Sequence, residues 1–161
     1  MSELVSPVEI LPATWRDVRP LYRLEKRCFP IDFWPVWDIF FALVLPYTVC
    51  LKAVRGEEIV GFVIAERRSL TNEDWIASIA VDADYRQCGI GSKLLNECEA
   101  QLTAERIRLS VRETNVSAIR LYKRLGYVPA RKWRKYYKDG QDALIMEKKR
   151  ENANIPRKWL V

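Results

Sequence analysis

Trp75-Ile76-Ala77-Ser78-Ile79-Ala80-Val81, followed across Asp82-Ala83-Asp84-Tyr85 by Arg86-Gln87-Cys88-Gly89-Ile90-Gly91, is the stretch on which the reading of this chain turns. Its first part is an apolar run of strand length, with the composition of a strand buried on both faces. Its second part opens into Ser92-Lys93-Leu94-Leu95-Asn96-Glu97-Cys98, where Leu94, Leu95 and Cys98 fall on one side of a helix. Glycines between a strand and a helix let the backbone approach a ligand closely and leave successive N–H groups pointing outward. The helix adds the partial positive charge of its first turn, so phosphate oxygens are favoured there. Arg86 contributes a full positive charge and Ser92 a hydroxyl donor. Taken alone, the same residues could also be a plain structural turn. They are not a P-loop, because no Gly-Lys-Ser/Thr follows. Nor do they form a dinucleotide fingerprint, since Leu94 stands where the third glycine would be.

Toward the N-terminus, Thr48 to Val54 and Ile59 to Ala65 are β-branched runs flanking Arg55-Gly56-Glu57-Glu58, a hairpin signal. Before them lie a short strand from Val8 to Leu11 and two helices. The first, from Trp15 to about Arg27, has Thr14 as its N-cap with Asp17 three residues on. Pro20 delays its regular part, Val18, Leu21 and Leu24 form its apolar stripe, and Pro30 stops it. The second, rich in aromatics, runs from Val36 to about Leu45 and ends at Pro46. Beyond the glycine segment the pattern predicts a helix to about Ala104, a strand from Ile107 to Val111 and a helix from Ser117 to Leu125. Strands from Tyr127 to Trp133 and Ala143 to Lys149 then follow, with Asp139-Gly140 in the turn between them. There is no internal repeat and no linker. We expect one domain over residues 1–150 and a basic tail over 151–161.

A length of 161 residues with 49% apolar side chains suits one ordinary globular domain. No apolar run approaches the roughly 20 residues of a membrane span, and the first residues lack the basic and apolar regions of a signal peptide. A soluble, cytoplasmic protein without a membrane or metal partner is the expectation. The chain has no histidine, and its four cysteines show no C-x-x-C spacing. That removes zinc sites with histidine ligands and Ser–His or Cys–His catalytic pairs, and leaves four reduced thiols. The formal charge of +6, from 27 basic against 21 acidic residues, fits an anionic ligand, an acidic surface or RNA. The excess gathers in Arg131 to Lys138 and in Lys148-Lys149-Arg150, which can equally be a solvated strand face and a charged tail.

Over roughly Val8 to Glu147 the chain resembles the GNAT superfamily of acetyltransferases. The central signature of that family, Gln/Arg-x-x-Gly-x-Gly/Ala between a strand and a helix, fits Arg86 to Gly91. A second signature, Asn-x-x-Ala-x-x-Leu-Tyr-x-x-x-Gly-Phe/Tyr, fits Asn115, Ala118, Leu121, Tyr122, Gly126 and Tyr127. The resemblance implies an α/β fold: a mixed, bent sheet of about seven strands, helices on both faces, and central strands that splay to admit acetyl-CoA. It implies that Ile79, Ala80 and Val81 pair with the pantetheine arm, that Arg86, Gln87, Cys88, Gly89, Ile90, Gly91 and Ser92 hold the pyrophosphate, and that Asn115 contacts the arm. Tyr122 would lie beside the thioester sulfur, where a phenol can act as general acid toward the departing thiolate. As a core aromatic on an amphipathic helix, Tyr122 also has a purely structural reading.

Within the superfamily the chain is most similar to protein N-terminal acetyltransferases of the RimI type. Cys28-Phe29-Pro30-Ile31-Asp32-Phe33 resembles their acceptor loop, Arg112-Glu113-Thr114-Asn115 the approach to the second signature, and Lys135-Tyr136-Tyr137-Lys138-Asp139-Gly140 their Tyr-Tyr loop. This implies that Tyr136 and Tyr137 cover the substrate backbone, and that Phe29, Pro30 and Ile31 form an apolar pocket for its first side chain; closing the core is the other reading of Phe29 and Ile31. The usual general base is missing, because Ser110 and Trp75 stand at its two customary positions. An α-amine has a pKa of about 7.7–8.0 against about 10.4 for lysine, so deprotonating lysine costs about 3.5 kcal/mol more. A weak-base site therefore suits an N-terminal amine better. The other readings are a GNAT enzyme for a small amine (polyamine, amino acid or antibiotic) and a module that binds CoA or RNA without catalysis. Docking of the basic patch at the ribosome is compatible with the main reading.

Overall fold

The computed structural model describes residues 7–150, so the expected tail over 151–161 lies outside the described residues. Strand β1 (Val8–Pro12) leads through a single 3-10 turn (Trp15–Asp17) into α1 (Val18–Cys28) and α2 (Val36–Val44). Three antiparallel strands follow, β2 (Thr48–Arg55), β3 (Glu58–Glu66) and β4 (Glu73–Val81), then α3 (Ile90–Glu99), β5 (Arg106–Arg112), α4 (Val116–Arg124), β6 (Val128–Trp133) and β7 (Ala143–Lys149). The strands form one seven-stranded sheet in the order β1-β2-β3-β4-β5-β7-β6. Only the β4–β5 pair is parallel, with α3 as its crossover. The expected mixed sheet of about seven strands is thus the one observed.

Helices cover both faces, and each is placed by its apolar stripe. On one face Leu21 and Leu24 of α1 and Ile39 and Ala42 of α2 pack on Phe62, Ile64 and Ala80. On the other, Leu94, Leu95 and Cys98 of α3 and Tyr122 of α4 close over Val63, Ile76, Leu109 and Met146. The first helix starts as foreseen: the Asp17 carboxylate accepts the Thr14 N–H at 2.8 Å, satisfying a donor that the turn leaves orphaned. Pro20 falls in the first turn of α1, where its missing N–H costs nothing.

Helix α3 stops at Glu99, short of the expected Ala104. The apolar period does continue, since Leu102 and Ala104 are both buried. Asp74, itself buried, accepts the N–H groups of Thr103 and Ala104 at 3.0 Å each and draws the chain out of the helix.

The feature that makes a site is a failure of pairing. Parallel register between β4 and β5 covers only Glu73 to Ile76 opposite Arg106 to Leu109. The β3 register places Ile64 opposite Ser78 and Ala65 opposite Ile76, which leaves Ala77 as an extra residue. A bulge of this kind bends the bulged strand away from its neighbour. From Ala77 to Val81, β4 keeps β3 on one side and has no strand partner on the other.

Candidate functional site

The glycine segment meets α3 at the open end of that gap. Gln87 and Gly89 have φ of 62° and 78°, so the loop passes twice through the left-handed region. A Cβ at Gly89 would meet nothing within 4 Å, so this glycine serves backbone conformation and leaves open space above it. Gly91 has a different reason: a Cβ there would come within 3.1 Å of Leu121 Cδ2, so its absence lets α3 and α4 approach closely. The two signature motifs are therefore in contact through Gly91 and Leu121. No side chain caps α3, and its first-turn N–H groups, with those of the exposed residues before it, form a cradle suited to an anion. Ile90 is buried beneath that loop, while Ser92 is partly accessible at its rim.

Arg86 sits otherwise than its sequence position suggests. Its guanidinium turns back, donating to the Val81 carbonyl at 3.1 Å and lying 3.8 Å from Cys28 Sγ. The charge thus borders the end of β4 instead of projecting from the loop. Cys88 is exposed, and its thiol faces the Arg86 carbonyl at 3.5 Å. All four cysteines are unpaired. Ile79, Ala80 and Val81 occupy the part of β4 without a β5 partner. Asn115 is the N-cap of α4, its Oδ1 accepting the Ala118 N–H at 3.1 Å, which leaves its amide NH2 as a donor.

Tyr122 extends from α4 into the core, 6% exposed, with its ring edge-on to Tyr127 at 5.9 Å. Burial, with the Tyr137 phenol nearby, pushes its pKa well above the usual phenol value. No side-chain hydrogen bond engages its hydroxyl among the described residues, and that oxygen is not one of their fully buried unpaired atoms, so it stays available as a donor. A protonated phenol with a free donor is what a departing thiolate requires. Tyr127 is held differently, donating to Glu99 at 2.7 Å, and Lys148 also reaches that carboxylate at 2.6 Å.

On the α1–α2 side two loops meet. Arg112, the last residue of β5, pairs with Asp32 in the loop after α1 and with Asp139 in the loop before β7 at 2.8 Å. Its guanidinium also lies 4.2 Å from the centre of the Tyr137 ring. Asp32 further accepts the Lys138 N–H at 3.2 Å. Tyr137 is partly buried; burial raises its pKa, against the lowering effect of the Ser110 hydroxyl and Arg112. Tyr136 is exposed, edge-on to Tyr137 and tilted over Trp133. Phe29 packs into the core beside α1, whereas Ile31 is 51% exposed and Pro30 is exposed beside it. Of the expected pocket residues, Phe29 is half-buried against the core, and Pro30 and Ile31 are exposed.

At the customary base positions, Trp75 is stacked on Trp133 at 5.9 Å with Arg68 over its ring, and Ser110 stands past the end of β4–β5 pairing. Neither offers a base. The basic run after Tyr127 is exposed along β6, with Lys132 paired to Glu113 and Asp142 and one face of Trp133 taken by Trp75. No cluster of three metal-ligating residues occurs among the described residues. Within them, too, no helix is long and apolar enough to cross a membrane.

This architecture coincides with a known one, and the family model described as the Acetyltransferase (GNAT) family matches residues 15–127. The chain belongs to the GNAT acetyltransferase family. Acetyl-CoA is the acyl donor of that family. The cradle at α3, the unpartnered edge of β4 and the free hydroxyl of Tyr122 fit such a ligand. Among curated proteins, this GNAT chain is 30% identical over 152 residues to human N-alpha-acetyltransferase 30, with 91% of the chain aligned. It spans only 38% of that relative's length. An N-alpha-acetyltransferase of Sulfurisphaera tokodaii is 35% identical over 145 residues, covering 81% of the chain and 86% of the relative. Among solved structures, the ribosomal-protein-S18-alanine N-acetyltransferase of Escherichia coli superposes with a TM-score of 0.78 at 26% identity, covering 92% of this chain and 99% of that one.

Proposed function

We propose that this chain transfers the acetyl group of acetyl-CoA to the N-terminal α-amine of a protein or peptide, by direct transfer in a ternary complex. The observation that carries the reading is the gap between β4 and β5, flanked on one side by the α3 cradle and on the other by the two loops joined through Arg112. A ligand entering from each side would meet its counterpart inside the sheet. The N-alpha-acetyltransferases similar to this chain in human and Sulfurisphaera tokodaii support the α-amine as acceptor.

Bound acetyl-CoA supplies a thioester carbonyl for attack by the amine. The first-turn amides of α3 and the backbone of Gln87, Cys88 and Gly89 hold its pyrophosphate, with charge–dipole attraction adding to the hydrogen bonds. Ile79, Ala80 and Val81 offer backbone groups to the pantetheine arm, and the Asn115 amide a further donor. Tyr122 gives its proton to the departing sulfur, and the proton lost by the amine nitrogen, passed through solvent, restores the phenol. The raised pKa of that phenol keeps its proton in place through neutral pH. Tyr136 and Tyr137 cover the acceptor backbone, and Pro30 and Ile31 present an apolar surface to the first side chain. No carboxylate stands where the family usually places its base. The acceptor is thus one already partly neutral near pH 7.4, which favours an α-amine over lysine.

No thiol is placed by the motif to carry an acyl-enzyme. The work sits in the cytoplasm, and the basic β6 region is the part suited to contact a ribosome near emerging chains. Acetyl transfer to short peptides with free and blocked N-termini, beside spermidine and free lysine, tests the reading. Transfer that requires a free peptide N-terminus supports it; transfer to the small amines alone contradicts it.

A further inference from the structure

Glu25 lies on α1 and is 2% exposed, yet no cation pairs with it among the described residues. A buried carboxylate without a counter-ion is costly and persists only where hydrogen bonds support it. Both of its oxygens are used, by different elements. Oε2 accepts the Ser78 hydroxyl at 2.9 Å, and Oε1 accepts the Trp34 N–H at 3.2 Å. Ser78 directly follows Ala77, the extra residue at which β4 leaves β5. Trp34 ends the loop containing Pro30, Ile31 and Asp32, one residue before the Pro35 cap of α2. Three hydrogen-bonded links hold residues 29–34 beyond their packing: Arg112 ties them to β5, the Lys138 N–H to the loop before β7, and Glu25 to β4. Of the three, the last reaches the cofactor strand, where the Cys28 thiol at the head of the loop adds a longer contact to the Val81 carbonyl at 3.6 Å.

We infer that Glu25 is a positioning residue, fixing the acceptor loop against the bulge of β4 so that the acceptor amine is held in register with the cofactor strand. It does not touch the reacting atoms; it acts through Trp34 and Ser78. The consequence for the acceptor rests on the N-terminal acetyltransferase reading, whereas the link itself does not.

The two are tested apart. Deuterium uptake of segment 29–36 in the free protein is measured for the wild type, Glu25→Ala, Glu25→Gln and Ser78→Ala, with circular dichroism to confirm folding. Uptake should rise clearly in Glu25→Ala, rise less in Ser78→Ala, and stay near wild type in Glu25→Gln, whose carbonyl still accepts from Trp34. In peptide acetylation, Glu25→Ala should raise KM for the peptide at least tenfold with KM for acetyl-CoA unchanged, and Glu25→Gln should restore it to within threefold. Unchanged uptake in both Glu25→Ala and Ser78→Ala overturns the inference. So does a Glu25→Gln enzyme whose kcat collapses, which would make Glu25 a proton acceptor. A wild type that acetylates no peptide would refute the functional reading and leave the uptake comparison to decide the role of Glu25.

Discussion

Asp32 and Arg112 are eighty residues apart in the chain and form an ion pair where β5 has run past its β4 partner. The same guanidinium holds Asp139, so one side chain joins the loop after α1 to the loop before β7. Both partners are partly shielded from solvent, at about a fifth exposed each. Hydrogen bonds to charged groups are worth about 1.5–3 kcal/mol, or a factor of roughly 10–150. Arg112→Ala should therefore lower kcat/KM for a peptide acceptor by about tenfold or more, with acetyl-CoA binding unchanged. Arg112→Lys, which keeps the charge and loses the fork, should recover only part. Steady-state kinetics in each substrate separate these effects.

Tyr122→Phe keeps the ring against Tyr127 and removes only the hydroxyl. General acid catalysis contributes about 10²–10⁴-fold. Turnover should fall within that range while the acetyl-CoA dissociation constant stays put. An unchanged kcat, measured beside calorimetric binding, removes this phenol from the mechanism.

The two glycines of the loop predict different injuries. Gly89→Glu places a side chain and a negative charge in open space above the cradle, and a non-glycine residue in the left-handed region costs about 1–2 kcal/mol. Acetyl-CoA binding should be abolished with a modest loss of stability. Gly91→Ala drives a methyl toward Leu121 at 3.1 Å and should loosen the α3–α4 contact, lowering Tm before it affects the anion site directly. Thermal melts with and without acetyl-CoA distinguish the pair.

Burial holds the Glu25 carboxyl above its usual pKa, against the opposing effects of Ser78 and Trp34. A carboxyl whose folded pKa is raised gives stability that is fully present below the unfolded value, about 4.3, and is lost as pH rises through the folded value. At neutral pH the ionised group is a net cost. Glu25→Gln should melt higher than wild type at pH 7, with the difference shrinking as pH falls toward 4. Melting temperatures across that range check the sign.

Asp74 accepts three backbone N–H groups, from Arg68, Thr103 and Ala104. Of these donors only the Ala104 N–H belongs to a buried residue, and leaving a buried donor unpaired costs about 1–3 kcal/mol. Asp74→Ala should destabilise by about 1–3 kcal/mol, read from urea denaturation, without altering the acetyl-CoA site.

That same carboxylate explains where reading from sequence fell short. The apolar period in Leu94, Leu95, Cys98 and Leu102 carries the helix onward, and nothing local announces that a residue thirty positions earlier ends it. What is encoded locally was legible: the stripe of α1, the hairpin, the glycine loop and the two signatures. The bulge at Ala77, the clasp at Arg112, the turned-back Arg86 and the buried Glu25 arise from pairs distant in sequence, where neither spacing nor composition leaves a mark. Phe29 illustrates the intermediate case, since an aromatic next to proline suits a core and a pocket equally, and it packs half-buried against the core.

The central claim is the position of the acetyl group on the acceptor. A short peptide beginning with methionine and containing one internal lysine would be incubated with acetyl-CoA and the purified protein, and the product sequenced by tandem mass spectrometry. Acetyl on the α-amine alone is the expected result; acetyl on the lysine side chain, with the α-amine left free, would contradict it.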